Sequence, residues 1–470
     1  MYQRPEIALV VVLVLLAVGM AQGGKRKSEE IEDDTLKLVV IIHRHGDRTP
    51  IYVPEQYKDL WPQGDGQLTG LGVHQLWELG ELIRGKLSTN FLSANYSPGI
   101  VYSRAANKDR TLQSAVSMMM ALFPPGTGPM FPFEAEASDE NPSLPYDFQP
   151  IPTHSVALEL DYVMRALQNC PTYKSYLEEV VYESDEAKQL EEEYISTLQA
   201  LNDAFDEEVV LMNLSTYYDY LFCSDTHGMQ TLVTEEVFEE TVELYNKAYS
   251  LEFAPSGLSR LIGGPLMGQV LDDLQDYATG VNTKLKAKVY SGHDVTLGSL
   301  LSFMGLEQSE APPYASWAMF ELHRIDAEWK VKFSYNGEAL DLDFCSMSGD
   351  YCTLQEYEDV FRADIPADPA GECGAEDASP QPGVPSSSGS PFFSLDLVIS
   401  VLVVTVLLLL ATVAVLLAYV YHLRLRAHAA PFAQLGGSNT EMLDGEEPTA
   451  IELDEVGYTV KHLRKVTKSS

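Results

Sequence analysis

Apolar positions follow two different periods along the first part of the chain. Residues 36–42 form an apolar run interrupted only by Lys37, which is typical of a strand buried on both faces. The stretch LTGLGVHQLWELGELIRGKL then places Leu76, Leu79 and Ile83 at helical spacing. A strand pattern, GIVYSR, and a helical pattern, RTLQSAVSMMMALF, follow it. Residues 35–149 are therefore predicted to form the first part of an α/β domain.

The pattern changes in the middle of the chain and then returns. Residues 150–253 are rich in glutamate and carry apolar residues at helical intervals, which predicts an all-helical insertion. Residues 254–362 resume strands and helices, and Trp329, Val331 and Phe333 alternate as in a half-buried strand. Together the patterns predict an α/β fold with a mostly parallel central sheet flanked by helices.

Two apolar segments lie outside this folded part. Residues 1–23 combine one basic residue, an apolar run and a small-residue exit, as in a secretory signal peptide. Residues 397–419 contain no charge and reach the length of about 20 residues that a spanning helix needs. Arg424 and Arg426 follow directly, so the positive-inside rule predicts a cytoplasmic tail over residues 424–470. The chain is predicted to be a single-pass type I membrane protein.

Composition narrows the class of protein. The chain is 45% hydrophobic, as globular proteins are, and its formal net charge is −38. This charge excludes nucleic acid as a partner, because phosphate backbones need a basic footprint. Residues 363–391 are rich in Pro, Ser and Gly and are predicted to be a stalk between the folded part and the membrane.

Cysteines and sequons agree with a lumenal or extracellular folded part. The sequons at Asn95 and Asn213 predict glycosylation in a secreted chain. An oxidising compartment permits disulfides, and an odd number of cysteines leaves one over. The five cysteines are Cys170, Cys223, Cys345, Cys352 and Cys373.

The stretch HRHGDR places several charged groups directly after the first buried strand. In open α/β sheets, ligands bind at the carboxyl ends of strands, where a glycine such as Gly46 allows close approach of the backbone. Arg44 and Arg48 offer guanidinium groups suited to a phosphate or a carboxylate. His45 lies between them, and a deprotonated imidazole is a competent nucleophile toward phosphorus. The stretch therefore predicts a phosphoryl-transfer site.

Three other interpretations of this stretch remain open. It is compatible with a solvated loop, or with a basic pocket of a surface receptor that binds a ligand without chemistry. It also approaches the H-x-H-x-D-H pattern of dinuclear metal sites, although Arg48 stands where the last histidine belongs.

Two later stretches supply groups that phosphoryl transfer requires. Arg110 lies at a predicted turn from strand to helix, where amide groups and a guanidinium both face an anion. His293 and Asp294 lie at another such turn. The Asp294 carboxyl is suited to protonate a departing alcohol, and a nearby phosphate dianion would raise its pKa.

Together these motifs resemble the histidine acid phosphatase family. RHGDRTP (44–50), DRT (109–111) and HD (293–294) occur in the order typical of the family, and LWPQGDGQLTGLGVHQLWELGELIR, ALFPPG and PPYASW are also similar. The resemblance spans essentially the whole predicted lumenal region, and the anchor makes it strongest for the lysosomal, prostatic and testicular types. It implies a phosphoglycerate-mutase-like fold, no metal, no cofactor, small phosphomonoester substrates and, as is frequent in the family, a homodimer.

The resemblance also implies a role for each site residue. His45 is expected to be the nucleophile that forms a phosphohistidine, and Asp294 is expected to be the proton donor. His43, on the same strand face as His45, is expected to be structural. The groups expected to hold the phosphate oxygens are Arg44, Arg48, Arg110 and His293.

Two departures from the family pattern are visible. The family's Arg-Ser-Thr-Asp is replaced by RAAN, so residues 105–107 are expected to alter the support of Arg110. Matching positions imply the disulfides Cys170–Cys373 and Cys345–Cys352. Cys223 is expected to be free, because Trp317 occupies the region of its usual partner.

The sequence thus predicts an acid phosphatase that hydrolyses phosphate monoesters. One alternative is an inositol polyphosphate phosphatase of the same superfamily, which predicts a strongly basic pocket rim. The other is a catalytically idle type I receptor. The tail has Lys461 three positions after Tyr458, where lysosomal sorting signals have an apolar residue. The lysosomal membrane and the plasma membrane are both kept as expected locations.

Overall fold

The structure is a computed structural model that describes residues 34–128, 144–229, 232–346 and 350–374. The predicted signal peptide, membrane helix and cytoplasmic tail lie outside these ranges. Within them, no helix has both the length and the apolar composition needed to cross a bilayer.

Within the described ranges, eight strands form one sheet in the order β3-β2-β4-β1-β5-β6-β7, and β8 pairs with β6. The strands are β1 (Leu36–Arg44), β2 (Val101–Ala105), β3 (Thr153–His154), β4 (Ala287–Gly292), β5 (Trp317–Ile325), β6 (Glu328–Tyr335), β7 (Glu338–Ala339) and β8 (Tyr351–Thr353).

The sheet is mixed, so the prediction of a mostly parallel sheet is wrong for one half of it. Strands β1 to β4 pair parallel with one another. The sheet turns antiparallel at the pairing of β1 with β5, and the pairings among β5 to β8 are antiparallel too. Only Asp326 and Ala327 connect β5 to β6, and both have positive φ angles. A two-residue connection of this kind forms a tight hairpin, which makes the two strands antiparallel.

Helices cover both faces of the sheet, which explains the apolar run of β1. Val40 packs in one core with Val270, and the neighbouring Ile41 packs in another core with Leu76 and Met118. Both faces of β1 are therefore buried. The described α-helices are α1 (Gly70–Lys86), α2 (Asp109–Leu122), α3 (Pro171–Tyr176), α4 (Asp185–Glu193), α5 (Ile195–Phe205), α6 (Leu214–Thr226), α7 (Glu235–Glu252), α8 (Ser259–Ala278), α9 (Asp294–Phe303), α10 (Leu354–Phe361) and α11 (Pro369–Glu372).

The segment predicted to be an all-helical insertion contains helices α3 to α7 and also strand β3. Thr153 of β3 lies opposite Ser103 of β2, so the segment begins by extending the sheet edge. Helices α4 to α7 then form a separate apolar core around Leu201, Leu221 and Leu244. This core also contains the loop after β1, through its buried Val53 and Trp61. That contact brings the helical region beside the carboxyl end of β1.

The covalent cross-links extend the folded part beyond the predicted boundary. Cys170 pairs with Cys373, Cys345 pairs with Cys352, and Cys223 is buried and free. Cys373 lies inside the predicted stalk, and helix α11 precedes it. The stalk prediction therefore applies only to residues 375–391, which lie outside the described ranges.

The two sequons differ in their surroundings. Asn95 is exposed in a loop, as an acceptor for a glycan must be. Asn213 is only partly exposed, and its side-chain amide donates a 2.9 Å hydrogen bond to the Glu208 carbonyl. Glycosylation at both positions stays a prediction.

Candidate active site

All six predicted site residues meet where three adjacent parallel strands end. Arg44 ends β1 beside Gly292 of β4, and the His45 amide donates to the Gly292 carbonyl at 3.0 Å. The residues after β4 are His293 and Asp294, at the start of α9. Arg110 lies at the start of α2, which follows the neighbouring strand β2. The arrangement follows the rule that sites form at carboxyl strand ends.

The six side chains line one cleft of about 720 Å³. The helical region closes one side of this cleft, with residues from α6 and α7. Four buried donor atoms on these six side chains have no hydrogen-bond partner within the described residues. Such atoms are costly unless a ligand accepts from them, and several converging donors favour an anion. They are Nε of Arg44, Arg48 and Arg110 and Nε2 of His293.

His45 is a neutral imidazole with one nitrogen directed by the backbone. The side chain is 2% exposed, and its Nδ1 donates a 2.8 Å hydrogen bond to the Gly46 carbonyl. Burial lowers the His45 pKa well below its usual value, and the charges of Arg110 and Arg44 lower it further. Because the proton is on Nδ1, the lone pair is on Nε2. The ring therefore has the tautomer and charge that a nucleophile needs.

Gly46 is required by a contact with protein backbone. A Cβ at this position would lie 2.3 Å from the carbonyl oxygen of Gly72, on the first turn of α1. No larger side chain fits without moving α1. The sequence predicted close approach to a ligand, whereas the structure gives close approach to a helix.

Arg44 is held by three groups. Its Nη2 lies 2.8 Å from the Asp294 carboxylate, and its Nη1 donates to the Pro312 carbonyl at 2.5 Å. The guanidinium also stacks 4.2 Å from the ring centre of Tyr314. Burial alone would lower the Arg44 pKa, but Asp294, together with Tyr314 and Tyr245, outweighs burial, so the pKa is raised. Arg44 is therefore a fixed positive charge at the cleft floor.

Asp294 is ionised in the ligand-free protein. Burial alone would raise its pKa, but the charges of Arg44 and Arg48, together with the Val295 amide and His293, hold the pKa below its usual value. One carboxylate oxygen faces Arg44, and the other accepts a 2.8 Å bond from the Val295 amide. A ligand that neutralises Arg44 would remove the main cause of this low pKa.

Arg48 is held by a residue that sequence reasoning missed. Asp219 on α6 contacts its two terminal nitrogens at 2.7 and 3.0 Å and also accepts from the Ile51 amide at 2.7 Å. Burial alone would lower the Arg48 pKa, but Asp219 raises it well above its usual value. A single aspartate in a helix carries no motif, so nothing in the sequence distinguishes Asp219 from other acidic residues of the insertion.

Arg110 and His293 form a second pair. Arg110 Nη2 donates to His293 Nδ1 at 3.4 Å, which places the His293 proton on Nε2. Burial and the charge of Arg48 lower the Arg110 pKa to about 10. Burial and the charge of Arg110 lower the His293 pKa well below its usual value. A neutral His293 donates one N–H into the cleft.

The histidine and aspartate of the metal-site alternative point to other partners. His43 is buried and donates from Nδ1 to the Arg44 carbonyl at 3.0 Å. Asp47 accepts from the Thr69 hydroxyl and, at 2.8 Å, from His227 after α6. No cluster of three metal-binding side chains occurs in the ranges that the structure describes.

In the altered stretch before Arg110, both alanines are buried and the turn is held by several contacts. Arg104 pairs with Asp161 at 2.6 Å, and the alanine at position 106 accepts from the Thr111 hydroxyl through its carbonyl. Asn107 is exposed. The support of this turn therefore comes from Arg104 and the backbone.

Sequence comparison places the chain in a known family. Residues 35–336 match the sequence model of the Histidine phosphatase superfamily (branch 2). The chain therefore belongs to this superfamily, and the family predicted from the motifs is confirmed.

Several characterised relatives cover most of the chain. Prostatic acid phosphatase of Bos taurus is 32% identical over 390 residues, which are 79% of this chain and 95% of the relative. Prostatic acid phosphatase of Homo sapiens is 33% identical and covers 72% of this chain and 88% of its own. Lysosomal acid phosphatase of Xenopus laevis is 30% identical, and the match covers 78% of this chain and 83% of the relative. Acid phosphatases are phosphoric monoester hydrolases, so the predicted enzyme class is confirmed at the level of the family.

Solved structures support the fold. The phytase of Hafnia alvei in its apo form superposes with a TM-score of 0.53 at 16% identity and covers 73% of this chain and 99% of its own. The phytase of Citrobacter braakii gives a TM-score of 0.52 at 17% identity, and the match covers 73% of this chain and 100% of the phytase. At these identities the likeness concerns the fold alone.

Proposed function

We propose that this protein is an acid phosphatase that hydrolyses phosphate monoesters through a phosphohistidine at His45. The observation that carries the proposal is a neutral, buried imidazole in a cleft lined by unpaired donors. Its Nδ1 is fixed by the Gly46 carbonyl, so Nε2 is available to attack phosphorus. The unpaired donors of Arg44, Arg48, Arg110 and His293 accommodate the phosphate oxygens.

The reaction takes place in two steps. His45 Nε2 forms a bond to phosphorus, the ester P–O bond breaks, and the alcohol oxygen takes its electron pair together with a proton from Asp294. Water then attacks phosphorus and gives a proton to the Asp294 carboxylate, while the P–N bond breaks and its electron pair returns to His45. The sum is ester and water giving alcohol and phosphate, with no metal in the scheme.

The salt bridge between Arg44 and Asp294 would make the reaction depend on acidic pH. Asp294 must carry a proton to act as donor, yet Arg44 holds its pKa low in the free protein. A phosphate that binds Arg44 supplies negative charge beside Asp294, which raises the pKa of Asp294 in the complex. The protonated fraction still falls as pH rises, so activity declines toward alkaline pH.

The topology predicted from sequence completes the proposal. A signal peptide and the anchor at 397–419 would place the catalytic part in the lumen or outside the cell, where the observed disulfides are stable. The relatives are named lysosomal and prostatic acid phosphatases, so a lysosomal or cell-surface location is proposed. Glycans at Asn95 and Asn213 and a homodimer belong to the same proposal.

Hydrolysis of an alkyl phosphate, whose leaving alkoxide needs a proton, by the full chain, measured against pH with and without EDTA, tests the proposal. We expect the highest rate at acidic pH and no loss with EDTA. Absence of hydrolysis at every pH would instead favour the idle receptor. Loss of activity with EDTA would favour a metal site.

Replacing Asp219 with asparagine should lower kcat/KM by about 10- to 100-fold. The variant keeps the shape of the side chain but removes the charge that fixes Arg48 at 2.7 Å. The matched control is Asp225→Asn, an exposed aspartate on the same helix, which should retain wild-type kinetics. Steady-state kinetics on both variants check this, and equal kcat/KM values would show that Arg48 does not need Asp219.

A further inference from the structure

The cleft has two chemically different walls. Lys108, Arg110 and Arg165 line one wall, which we call the basic wall. The other wall contains Tyr218 and Tyr245, whose rings stack at 3.8 Å between centres. A cleft of this kind offers a charged surface and an apolar surface to the same ligand.

Two cations of the basic wall are not used by the proposed mechanism. Lys108 immediately precedes α2, and Arg165 lies in the turn between β3 and α3. Arg110 faces the reacting phosphate with His293. Lys108 and Arg165 are not needed for that contact, so they are available to another group.

The charges of the cleft are not balanced by the protein. Among its described lining residues, five side chains are basic and three are acidic. Asp294 and Asp219 are bound to Arg44 and Arg48, and the third acidic side chain, Glu310, is exposed. Within the described part of the chain, neither Lys108 nor Arg165 forms an ion pair with a carboxylate. The cleft is thus locally positive in a chain of net charge −38.

The two cations lie close enough to repel each other. Burial lowers the pKa of Lys108, and the charges of Arg165 and Arg110 lower it further. Burial also lowers the Arg165 pKa, and the charge of Asp161 offsets this only in part. The Arg165 Nε atom is buried and has no partner among the described residues. Repulsion between like charges destabilises the empty cleft, and a bound anion would relieve the repulsion.

We propose that Lys108 and Arg165 bind a second anionic group of the substrate, a phosphate or a carboxylate, separate from the phosphate that is hydrolysed. The inference rests on the proposed function and adds a substrate class: phosphomonoesters with a second negative charge. Tyr218 and Tyr245 offer an apolar surface to the carbon skeleton of the same substrate. Charge-assisted contacts to the second group then add specificity without taking part in the chemistry.

Matched substrates test the inference on the full chain. Para-carboxyphenyl phosphate carries a second anion, and its methyl ester has the same ring without it. The same pair extended by one methylene group covers a second spacing. The quantity measured is the ratio of kcat/KM for acid over ester, in the wild type, in Lys108→Gln with Arg165→Gln, and in Lys284→Gln. Lys284 is exposed and does not line the cleft.

We expect the wild-type ratio to exceed about 10 at one spacing or both, since each tenfold step corresponds to one charge-assisted contact of about 1.4 kcal/mol. The ratio should approach one in the double variant and remain at the wild-type value in Lys284→Gln. Equal rates for acid and ester in the wild type would overturn the inference, as would a ratio that survives in the double variant.

Binding separates this inference from the proposed function. The phosphonate analogues of the acid and its methyl ester cannot be hydrolysed, and calorimetry gives their dissociation constants. If the protein hydrolyses nothing, the proposed function fails. Tighter binding of the acid that is lost in the double variant would still establish the anion subsite, and equal binding would overturn it.

Discussion

The His45→Asn variant should lose at least about a thousandfold in kcat, because it removes the nucleophile of both chemical steps. The proposal assigns this role to Nε2 of a neutral ring whose Nδ1 is held by the Gly46 carbonyl. Asparagine keeps a polar side chain of similar reach and so limits damage to packing. Single-turnover rates with para-nitrophenyl phosphate measure the loss.

The matched control is His43→Asn on the same strand. His43 is also buried, but it donates to the Arg44 carbonyl and does not line the cleft. We expect this variant to be less stable by thermal unfolding and to retain kcat within a few-fold. Comparable loss of kcat in the two variants would indicate that both act through the strand end, and His45 would not be the nucleophile.

The Asp294→Asn variant should show a leaving-group effect. The quantity compared is kcat/KM, which reports the phosphorylation step and not the later hydrolysis of the phosphohistidine that all esters share. For an alkyl phosphate, kcat/KM should fall by about 100- to 1000-fold, because the departing alkoxide needs a proton. For para-nitrophenyl phosphate the fall should be below about tenfold, because nitrophenolate departs without one. The alkaline decline of kcat/KM should also disappear for the alkyl substrate. A series of phosphate esters graded by the pKa of the alcohol measures the effect.

The same series separates proton donation from the positioning of Arg44. Asp294 contacts Arg44 at 2.8 Å, so its replacement also frees that guanidinium. Disturbed positioning alone would lower the rate for every ester by one common factor. A common factor across the series would therefore contradict proton donation. Glu310→Gln is the control, since Glu310 lines the cleft outside the proposed machinery.

The strand-end residues were predictable because parallel strands fix where their ends meet. Once residues 36–42 and the strand before His293 are assigned to neighbouring strands, His45 and Asp294 must lie close together. The helix that begins near Arg110 follows from the same reasoning. Local patterns and topology rules therefore suffice for the floor of the cleft.

The walls of the cleft were not predictable, because helical periodicity does not tell where a helix docks. Asp219 and His227 reach the loop after β1 only because α6 packs on that loop through a separate apolar core. The antiparallel half of the sheet was missed for a similar reason. The direction of these strands depends on the two-residue turn at Asp326 and Ala327, and the apolar pattern of the strands does not predict that turn.

Rapid-quench trapping of the phosphorylated protein tests the central claim most directly. The full chain is mixed with a radiolabelled phosphomonoester, quenched in alkali, where phosphohistidine is stable, and the labelled peptide is identified by mass spectrometry. The account predicts label on His45 within one turnover, none in His45→Asn, and a longer-lived label in Asp294→Asn. Turnover without protein label in the wild type, or label on another residue, would contradict it.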